Sequence, residues 1–495
     1  MAERSGRHHE QDVELQQLWM GGHWEASSGD RVADVVNPAG LGTLARAQLA
    51  SPDDMRKAVA LARASFDSGI WRDQEPSQRA AVLRDAADRL EKRLPELARL
   101  LTSELGCPLW FAEKAHVPNP IRHLRYYADL VDGRSFDDYR SDGVNTSIVV
   151  DEPVGVVGAI TPWNGPLSSP TLKVAPALAA GCSIVVKPSS ETPLTVMALG
   201  EALAEAGLPP GVLSILPAGR DAGEVLLRHP DVDKIAFTGS TETGVMIMKA
   251  CAERMARVTL ELGGKSAAVV LPDADVDAFV AALLPMSFSV CGQLCISQAR
   301  VLVPRSLESD VRDALAAAIA ALAVGDPMDP DTYVGPLVSE KQRERVEGYL
   351  ELALAEGASI ATGGGRPGSA GEGWYVEPTL LTDVTNSMRV AQEEIFGPVV
   401  ALLAYDDVDE AVRLANDSPY GLSGSVWSVD RDAAVSVARR IRTGMVSING
   451  APQAYGTPFG GYKQSGIGRE MGPEGLQSYV EKKSIALGQF RPGEG

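Results

Sequence analysis

Short apolar runs rich in β-branched residues alternate with longer segments of helical periodicity along most of the chain. The first such series begins near residue 147 and predicts strands at 147–150, 154–160, 183–186, 234–237, 258–260 and 267–271. Strands that alternate with helices build parallel sheets covered by helices on both faces. This part of the chain is therefore predicted to form a doubly wound α/β sheet.

A second alternation of the same kind covers about 272–449. Its predicted strands are 300–303, 399–405, 424–427 and 445–448, and 478–487 follows as a further strand. The segment before the first series is predicted to be mainly helical. Ser51 and Pro52 suit the cap and first position of a helix, and a helical segment over 79–105 is expected to be interrupted at Pro95. Two α/β sheets are thus expected.

Length and composition indicate a soluble protein of several domains. A chain of 495 residues exceeds what one hydrophobic core usually organises, so two or three domains are expected. Its 45% hydrophobic and 22% charged residues are typical of globular proteins. The formal net charge of −19 disfavours nucleic acid and anionic membranes as partners, because both are negatively charged. Residues 1–18 lack the apolar centre of a secretory signal, so a cytoplasmic location is expected.

The cysteine pattern favours reduced thiols. The five cysteines are scattered, at Cys107, Cys182, Cys251, Cys291 and Cys295. An odd number in a long chain of this composition does not indicate a disulfide framework. All six histidines precede Cys251, and no metal-binding spacing of cysteine or histidine occurs, so no metal site is expected. Cys291 is interpreted as a packing residue, with a resolving thiol as the alternative.

Cys295 is the strongest candidate for chemistry. It follows Gly292 and Gln293 in a short loop, whereas an ordinary buried cysteine would lie inside an apolar run. Glu261 closes an apolar strand upstream, where burial would raise its pKa toward the range of a general base. An ion pair with Lys265 is the alternative interpretation of this acid. A thiol and a carboxylate base can attack a carbonyl and then activate water to release an acid.

Three loops after predicted strands could serve an anionic ligand or an oxyanion. Asn164 lies in a Pro- and Gly-containing loop and is a neutral donor able to stabilise an oxyanion. The segment from Gly239 to Gly244 joins a strand to a helix, where free amides and the helix dipole favour phosphate. Lys187 ends another strand, where it could reach ribose or phosphate or remain a solvated lysine. Each signal is weak when taken singly.

Seven motifs in this order resemble the aldehyde dehydrogenase superfamily, and they span most of the chain. They are Pro162-Trp163-Asn164, Lys187-Pro188-Ser189, Phe237-Thr238-Gly239-Ser240 with Gly244, Leu260-Glu261-Leu262-Gly263-Gly264-Lys265, Gly292-Gln293-Leu294-Cys295, Glu393-Glu394-Ile395-Phe396-Gly397-Pro398 and Pro458-Phe459-Gly460-Gly461-Tyr462-Lys463-Gln464-Ser465-Gly466. The resemblance implies an α/β subunit with a Rossmann-like cofactor domain, an α/β catalytic domain and a small β oligomerisation arm. The expected boundaries are 1–130 with 151–260, 261–450, and 131–150 with 475–495, respectively.

The resemblance also implies roles for individual residues. Cys295 resembles the nucleophile, Glu261 the general base and Asn164 the oxyanion donor, while Lys173 and Glu470 resemble a proton-relay pair. The residues expected at the cofactor are Thr161, Pro162, Trp163, Lys187, Ser189, Ser190, Gly239, Ser240, Gly244, Leu262, Glu394 and Phe396.

The implied activity is oxidation of an aldehyde to a carboxylic acid with NAD or NADP, in a homodimer or homotetramer. Glu261 favours hydrolysis of a Cys295 thioester over its transfer to coenzyme A, since acylating relatives typically lack this acid. Two alternatives remain open at this stage. One is a thiol esterase that uses the same two residues, and the other is an inactive relative with a structural role.

Two departures from the family pattern bear on specificity. Ser190 stands where a glutamate often holds the adenosine ribose, and Glu191 follows it, so NADP use is plausible and NAD stays possible. Small residues line the expected substrate tunnel, where the family often has larger side chains. A tunnel for bulky or aromatic aldehydes is therefore hypothesised, lined by Gly165, Ser169, Leu172 and Phe459.

Overall fold

A computed structural model describes residues 14–368 and 371–489. The expectations for residues 1–13, including that of no secretory signal, and for the end of the arm after residue 489 lie outside these ranges. Within them, no helix is long and apolar enough to cross a membrane.

Sixteen α-helices are found in the described ranges. In chain order α1 to α16 are Pro52–Ser68, Pro76–Lys92, Leu94–Leu105, Leu109–Phe111, Pro118–Val131, Ser168–Ala180, Met197–Glu205, Arg220–Arg228, Thr241–Ala252, Val276–Phe288, Glu308–Ala320, Glu340–Ala355, Arg389–Gln392, Val408–Asn416, Arg431–Ala438 and Gly472–Gln477. Ser51 caps α1 by accepting from the Asp54 amide, as its position predicts. The predicted interruption near Pro95 separates α2 from α3, with Pro95 in the first turn of α3.

The same ranges contain twenty-one strands. In chain order β1 to β21 are Leu15–Gln16, Leu18–Met20, His23–Glu25, Val32–Val36, Thr43–Gln48, Asp137–Ser141, Thr146–Pro153, Val156–Ile160, Ser183–Lys187, Leu213–Ile215, Lys234–Thr238, Arg257–Glu261, Ser266–Val270, Gln298–Pro304, Ser359–Thr362, Thr379–Thr382, Val399–Tyr405, Gly424–Trp427, Ser447–Ile448, Gly466–Ile467 and Val480–Gly488. The prediction of a mainly helical start was wrong for β1 to β5, which are short and pair with each other or with β10.

The first large sheet has eight strands in the order β20-β12-β11-β8-β9-β10-β2-β3. Its central strands β12, β11, β8, β9 and β10 are parallel, and apolar clusters cover both of its faces. The second sheet has seven strands in the order β15-β16-β17-β14-β13-β18-β19 and is parallel except at β15. The predicted α/β fold class with a doubly wound sheet is confirmed.

A third, small sheet of three antiparallel strands has the order β21-β7-β6 and shares no strand with the two large sheets. All five residues of β6 and the middle of β21 are exposed, so neither strand contributes to a core. Its strands coincide with the segments expected to form an oligomerisation arm, and the division into three domains stays a prediction.

The two large sheets meet end to end where the candidate site lies. β12 ends at Glu261, and β13 of the second sheet starts at Ser266 after the two glycines between them. Cys295 precedes β14, whose first residue, Gln298, pairs with Ser266. The carboxyl edge of the first sheet therefore faces the amino edge of the second, with Glu261 and Cys295 at the junction.

Candidate active site

The site lies at the point where the first sheet reverses its strand order. From β8 the chain proceeds outward through β9 and β10, then returns to place β11 on the other side of β8. Loops at the carboxyl ends of two such strands diverge and leave a crevice, which is where open α/β sheets bind ligands. Asn164 follows β8, and Gly239 with Ser240 follows β11.

A left-handed turn presents the Cys295 loop. Val290, Cys291 and Gly292 have φ values of 51°, 57° and 70° in succession. The left-handed region is sterically costly for a β-branched residue, so the surrounding structure must hold this turn in place. A Cβ at Gly292 would lie 2.2 Å from the Gly397 carbonyl oxygen, which ties the turn to the segment that carries Phe396.

Cys295 is half-buried and beside two acids. Burial, together with the charges of Glu394 and Glu261, raises the pKa of its thiol to about 12. The residue is therefore a protonated thiol at neutral pH in the free protein. Its activation as a nucleophile requires a nearby base.

Asn164 is buried next to the same loop. Its Nδ2 donates to the carbonyl oxygen of Gln293 at 2.7 Å. Gln293 lies two residues before Cys295, so this bond holds the Asn164 side chain against the nucleophile loop. A side-chain amide carries two N–H bonds, so one remains to donate to an oxyanion formed on a carbonyl attacked by Cys295.

Glu261 is almost fully buried, with 2% of its surface exposed. Neither carboxylate oxygen has a hydrogen-bond partner among the described residues. Burial raises its pKa well above the ordinary value, the neighbouring Glu470 raises it further, and Lys173 and Arg469 oppose this shift. The alternative ion pair with Lys265 is not formed in the described chain, since the Nζ of Lys265 likewise has no partner there.

Lys173 and Glu470 form a buried ion pair beside Glu261. Lys173 Nζ lies 2.7 Å from Glu470 Oε1 and donates to the Thr238 hydroxyl at 2.7 Å. A buried charge pair is costly unless its hydrogen bonds are made, and both bonds of this lysine are short and well directed. The geometry thus brings together two acids and one ammonium behind Cys295.

An open cleft of about 680 Å³ of empty space leads from the surface to Cys295. Many of the residues expected at the cofactor line it, together with the nucleophile and the oxyanion donor. They are Pro162, Trp163, Asn164, Gly239, Ser240, Leu262, Cys295, Glu394 and Phe396. The rings of Trp163 and Phe396 are 5.4 Å apart and nearly perpendicular.

The cleft carries groups of the kinds that bind phosphate and ribose. Ser240 caps α9 by accepting from the Thr243 amide, so the positive end of the helix dipole points into the cleft. Glu394 accepts from the Gly264 amide at 2.9 Å, and a Cβ at Gly263 would lie 2.6 Å from its carboxylate. Burial raises the pKa of Glu394 to about 7. A helix N-terminus for phosphate and a carboxylate for ribose hydroxyls thus lie in one groove.

Other predicted cofactor residues lie beside this cleft, outside its lining. Lys187 ends β9 and is half-buried, and Thr161 joins it by donating its amide to the Lys187 carbonyl. Gly244 packs against Leu262, where a Cβ would come within 2.6 Å of the leucine side chain. The hydroxyls of Ser189 and Ser190 both donate to Glu191, so the Glu191 carboxylate lies beside Ser190.

Two residues of the cleft were missed from the sequence. Gln342 and Arg345 lie on α12 and line the same cleft as Ser240. Arg345 donates to the backbone carbonyls of Glu394 and Ile395, and so holds the Glu394 segment against the helix. α12 begins after the capping residue Ser339 and carries many charged side chains. The sequence pattern of α12 does not distinguish Gln342 and Arg345 from the polar side chains that face solvent.

The expected tunnel residues do not line the cleft. Gly165 and Ser169 are buried at the start of α6, and the Ser169 hydroxyl has no partner in the described chain. Phe459 exchanges two backbone hydrogen bonds with Glu470, and a Cβ at the next residue, Gly460, would lie 2.7 Å from the Glu261 carboxylate. Leu172 is half-buried on α6.

Cys291 packs beneath the site. Its Sγ donates to the Gly335 carbonyl at 2.9 Å, and burial raises its pKa to about 12. These contacts favour the packing interpretation. Across the described ranges, no three or more histidine, cysteine, aspartate or glutamate side chains converge as a metal site would require.

Comparison with known proteins identifies the family. The sequence profile of the aldehyde dehydrogenase family matches residues 24–485. A geranial dehydrogenase of Castellaniella defragrans is 46% identical over 476 residues, covering 96% of this chain and 99% of that protein. A putative aldehyde dehydrogenase of Bacillus subtilis is 41% identical and covers 94% of each chain.

Solved structures of aldehyde dehydrogenases are similar to this chain over nearly its whole length. The aldehyde dehydrogenase of Mycobacterium tuberculosis complexed with NAD+ superposes with a TM-score of 0.95 at 43% identity, over 97% of this chain and 100% of that one. A mutant of aldehyde dehydrogenase C from Pseudomonas syringae, in complex with NAD+ and octanal, has a TM-score of 0.93 at 39% identity over 97% and 98% of the two chains.

Proposed function

Since this chain belongs to the aldehyde dehydrogenase family and is an NAD(P)-dependent aldehyde dehydrogenase, we propose that it oxidises its aldehyde through a thioester on Cys295. The observation that carries this proposal is that Cys295 and Asn164 line one cleft, Asn164 donates to the Gln293 carbonyl two residues before Cys295, and the buried Glu261 carboxylate has no hydrogen-bond partner in the described chain. A nicotinamide cofactor bound in the cleft would supply the hydride acceptor.

The first half of the reaction is addition to the aldehyde. Cys295 gives up its proton and its sulfur attacks the carbonyl carbon, forming a thiohemiacetal. The Asn164 amide donates to the oxyanion and stabilises it. Oxidation of this adduct leaves the acyl group on Cys295 as a thioester.

The second half is hydrolysis of the thioester. Glu261 takes a proton from a water molecule, and the resulting hydroxide attacks the acyl carbon. The raised pKa of Glu261 makes this buried carboxylate a stronger base than an exposed one. The carboxylic acid leaves and Cys295 is regenerated. The same two residues would also cleave activated esters, so esterase activity is expected as a side reaction.

We propose NAD as the preferred cofactor. Glu191 accepts from the hydroxyls of Ser189 and Ser190, which supports a carboxylate at the adenosine ribose despite the serine in the family position. A carboxylate there binds ribose hydroxyls and repels a 2′-phosphate. Glu191→Gln is expected to raise kcat/KM for NADP about tenfold through loss of this repulsion. An unchanged ratio of kcat/KM for NAD to kcat/KM for NADP in this variant would show that Glu191 does not select the cofactor.

We propose a bulky apolar aldehyde as the substrate. Gly165 has no side chain, and its nearest neighbours in space are the small residues Ser168 and Ser169. A relative at 46% identity is named for geranial, a long branched aldehyde. Small side chains at Gly165 and Ser169 leave room for such a chain.

An aldehyde panel with NAD and with NADP, followed by absorbance of the reduced nicotinamide, tests this specificity. A higher kcat/KM for long or branched aldehydes than for acetaldehyde, and for NAD than for NADP, is expected. Gly165→Phe should lower activity on the long aldehydes and spare acetaldehyde. A preference for acetaldehyde in the unmodified enzyme would rule out the bulky substrate.

A further inference from the structure

One buried acid outside the active site, Glu104, binds the loop that follows β9. Glu104 lies near the end of α3, and none of its surface is exposed. Its Oε2 accepts from the Leu194 amide at 2.8 Å, and its Oε1 accepts from the Thr195 amide at 3.0 Å. The Thr195 hydroxyl donates to the same Oε1. The three bonds of this carboxylate therefore all come from one short segment.

Packing alone does not account for an acid at this position. A carboxylate that is fully buried loses its hydration, and only hydrogen-bond donors around it offset that cost. An apolar side chain would fill the same place in the core without the cost. The amides of Leu194 and Thr195 belong to the turn that leads into α7, where the helix dipole favours a negative charge. The carboxylate of Glu104 therefore fixes this end of the loop.

The loop held by Glu104 comprises residues 188–196, between the end of β9 and the start of α7. It carries Glu191, which accepts from two serine hydroxyls of the same loop. One residue further on, the Thr192 hydroxyl donates to the Trp163 carbonyl oxygen at 2.8 Å. Trp163 lines the cofactor cleft. The loop is thus attached to the cleft wall at Thr192 and to α3 at Leu194 and Thr195.

The end of α3 is itself a fixed support. Gly106 terminates the helix in the left-handed conformation, with φ 82°. A Cβ at Gly106 would lie 2.8 Å from the Pro336 ring and 2.9 Å from the Pro38 ring, so the chain is closely packed here. Leu105, between Glu104 and this glycine, is fully buried. A residue can position a loop only when its own side chain is held in place, and Glu104 meets this condition.

We propose that Glu104 is a positioning residue for the adenosine half of the cofactor. It does not line the cleft, and it acts by holding loop 188–196 so that Glu191 stays at the adenosine ribose. A loop that is ordered before binding does not lose binding free energy to its own ordering. The inference rests on the proposed place of this loop at the adenosine ribose.

Binding of AMP, which is the adenosine half of NAD, tests this role by isothermal titration calorimetry. Glu104→Gln keeps the size of the side chain but turns one acceptor into an NH2 group that faces a donor. Thr195→Val removes only the hydroxyl bond, and Thr195→Ser keeps it. Glu96→Gln is the matched control, because Glu96 lies on the same helix and pairs with Arg93 at the surface.

The dissociation constant of AMP is expected to rise about tenfold in Glu104→Gln, because the loop must then be ordered on binding. In Thr195→Val it should rise about threefold, as for one lost hydrogen bond. KM for NAD should rise by the same factors, and Thr195→Ser and Glu96→Gln should match the unmodified enzyme. The burst and steady rates of p-nitrophenyl acetate hydrolysis without cofactor should stay unchanged, which a general structural defect would not allow.

An unchanged dissociation constant of AMP in Glu104→Gln would overturn the positioning role. An equal loss of ester hydrolysis in this variant would also overturn it, because the effect would then reach the Cys295 site. If Glu104→Gln does not fold, the two threonine variants decide, and equal AMP binding by both would contradict the role. An unmodified enzyme that does not bind AMP would instead overturn the proposed cofactor site, so the two failures are distinct.

Discussion

Burial controls the ionisable groups around Cys295. It raises the pKa values of the Cys295 thiol, of Glu261 and of Glu394, since a charge is poorly solvated in each place. Burial therefore favours the protonated, uncharged forms of the Cys295 thiol and of the Glu261 carboxyl. The enzyme is expected to work only where Glu261 has lost its proton.

This state of Glu261 predicts the pH dependence of hydrolysis. A base with a raised pKa is inactive below that value, so the rate of acyl-enzyme hydrolysis should fall as pH falls through a value well above 4.5. The steady rate of ester hydrolysis measured from acid to alkaline pH checks this. Glu261→Gln should be slower by about 10²–10⁴-fold and should lose the acidic limb. Persistence of that limb in the variant would assign it to another group.

The sequence predicts residues that belong to motifs and misses those that do not. Cys295, Glu261 and Asn164 stand at ends of strands or in glycine-rich loops, where local pattern indicates chemistry. Arg345 reaches the cleft only because α12 packs against the Glu394 segment, a contact between distant parts of the chain. The direction of the Glu191 carboxylate likewise depends on side-chain geometry that no spacing encodes.

At the scale of elements, the left-handed turn at 290–292 joins the nucleophile loop to the Phe396 segment. Gly292 adopts φ 70°, a Cβ on it would lie 2.2 Å from the Gly397 carbonyl oxygen, and Phe396 has φ 64°. Two strained segments in contact hold the thiol and the cofactor wall in a fixed relation.

Substitution of Gly292 tests this coupling. Gly292→Ala adds a Cβ that would collide with backbone, and its left-handed φ adds strain, so a loss of about 1–3 kcal/mol in the free energy of unfolding is expected. KM for NAD should rise together with the loss of kcat. Gly348→Ala is the control, because Gly348 lies on α12 with open space around its Cα and should be neutral or stabilising. Equal effects of both variants on Tm and KM would refute the coupling.

The sequence predicted the strands that are long apolar runs. It missed the short strands near the start of the chain, which are defined by their pairing with other strands. The predicted strands 399–405 and 424–427 coincide with β17 and β18, which are continuous apolar runs in a parallel sheet. The early strands β1 to β5 are two to six residues long and mostly not buried on either face. The pairs β2–β3 and β4–β5 join neighbouring strands, and β2 attaches to the first sheet through the distant β10. Segments of two to six residues contain too few alternating positions to indicate a strand.

At the scale of the molecule, the small sheet β21-β7-β6 leaves apolar side chains exposed. Tyr139, Val144 and Ile485 are 53%, 65% and 41% exposed in or beside its strands. An unpaired edge strand with exposed apolar side chains can pair with a strand of another subunit. This surface supports the proposal that the enzyme is a homo-oligomer.

Ile485→Asp is expected to dissociate that oligomer, because a carboxylate would be buried in the contact. Sedimentation velocity at micromolar concentration would report the change in mass. Val429→Asp serves as control, since Val429 is 72% exposed outside this sheet and its substitution should leave the mass unchanged. A monomeric unmodified chain, or an unchanged mass for Ile485→Asp, would argue against an interface on the small sheet.

The end-to-end contact of the two large sheets places one acid and one thiol at a single reaction centre, and trapping of the acyl-enzyme tests that arrangement most directly. Glu261→Gln is mixed with a long aldehyde and NAD, digested, and analysed by mass spectrometry. The acyl group is predicted on the peptide of Cys295, at Cys295 and not at Cys291, with reduced nicotinamide formed in equal amount. An unmodified Cys295 under these conditions, or steady turnover at the wild-type rate, would contradict the mechanism.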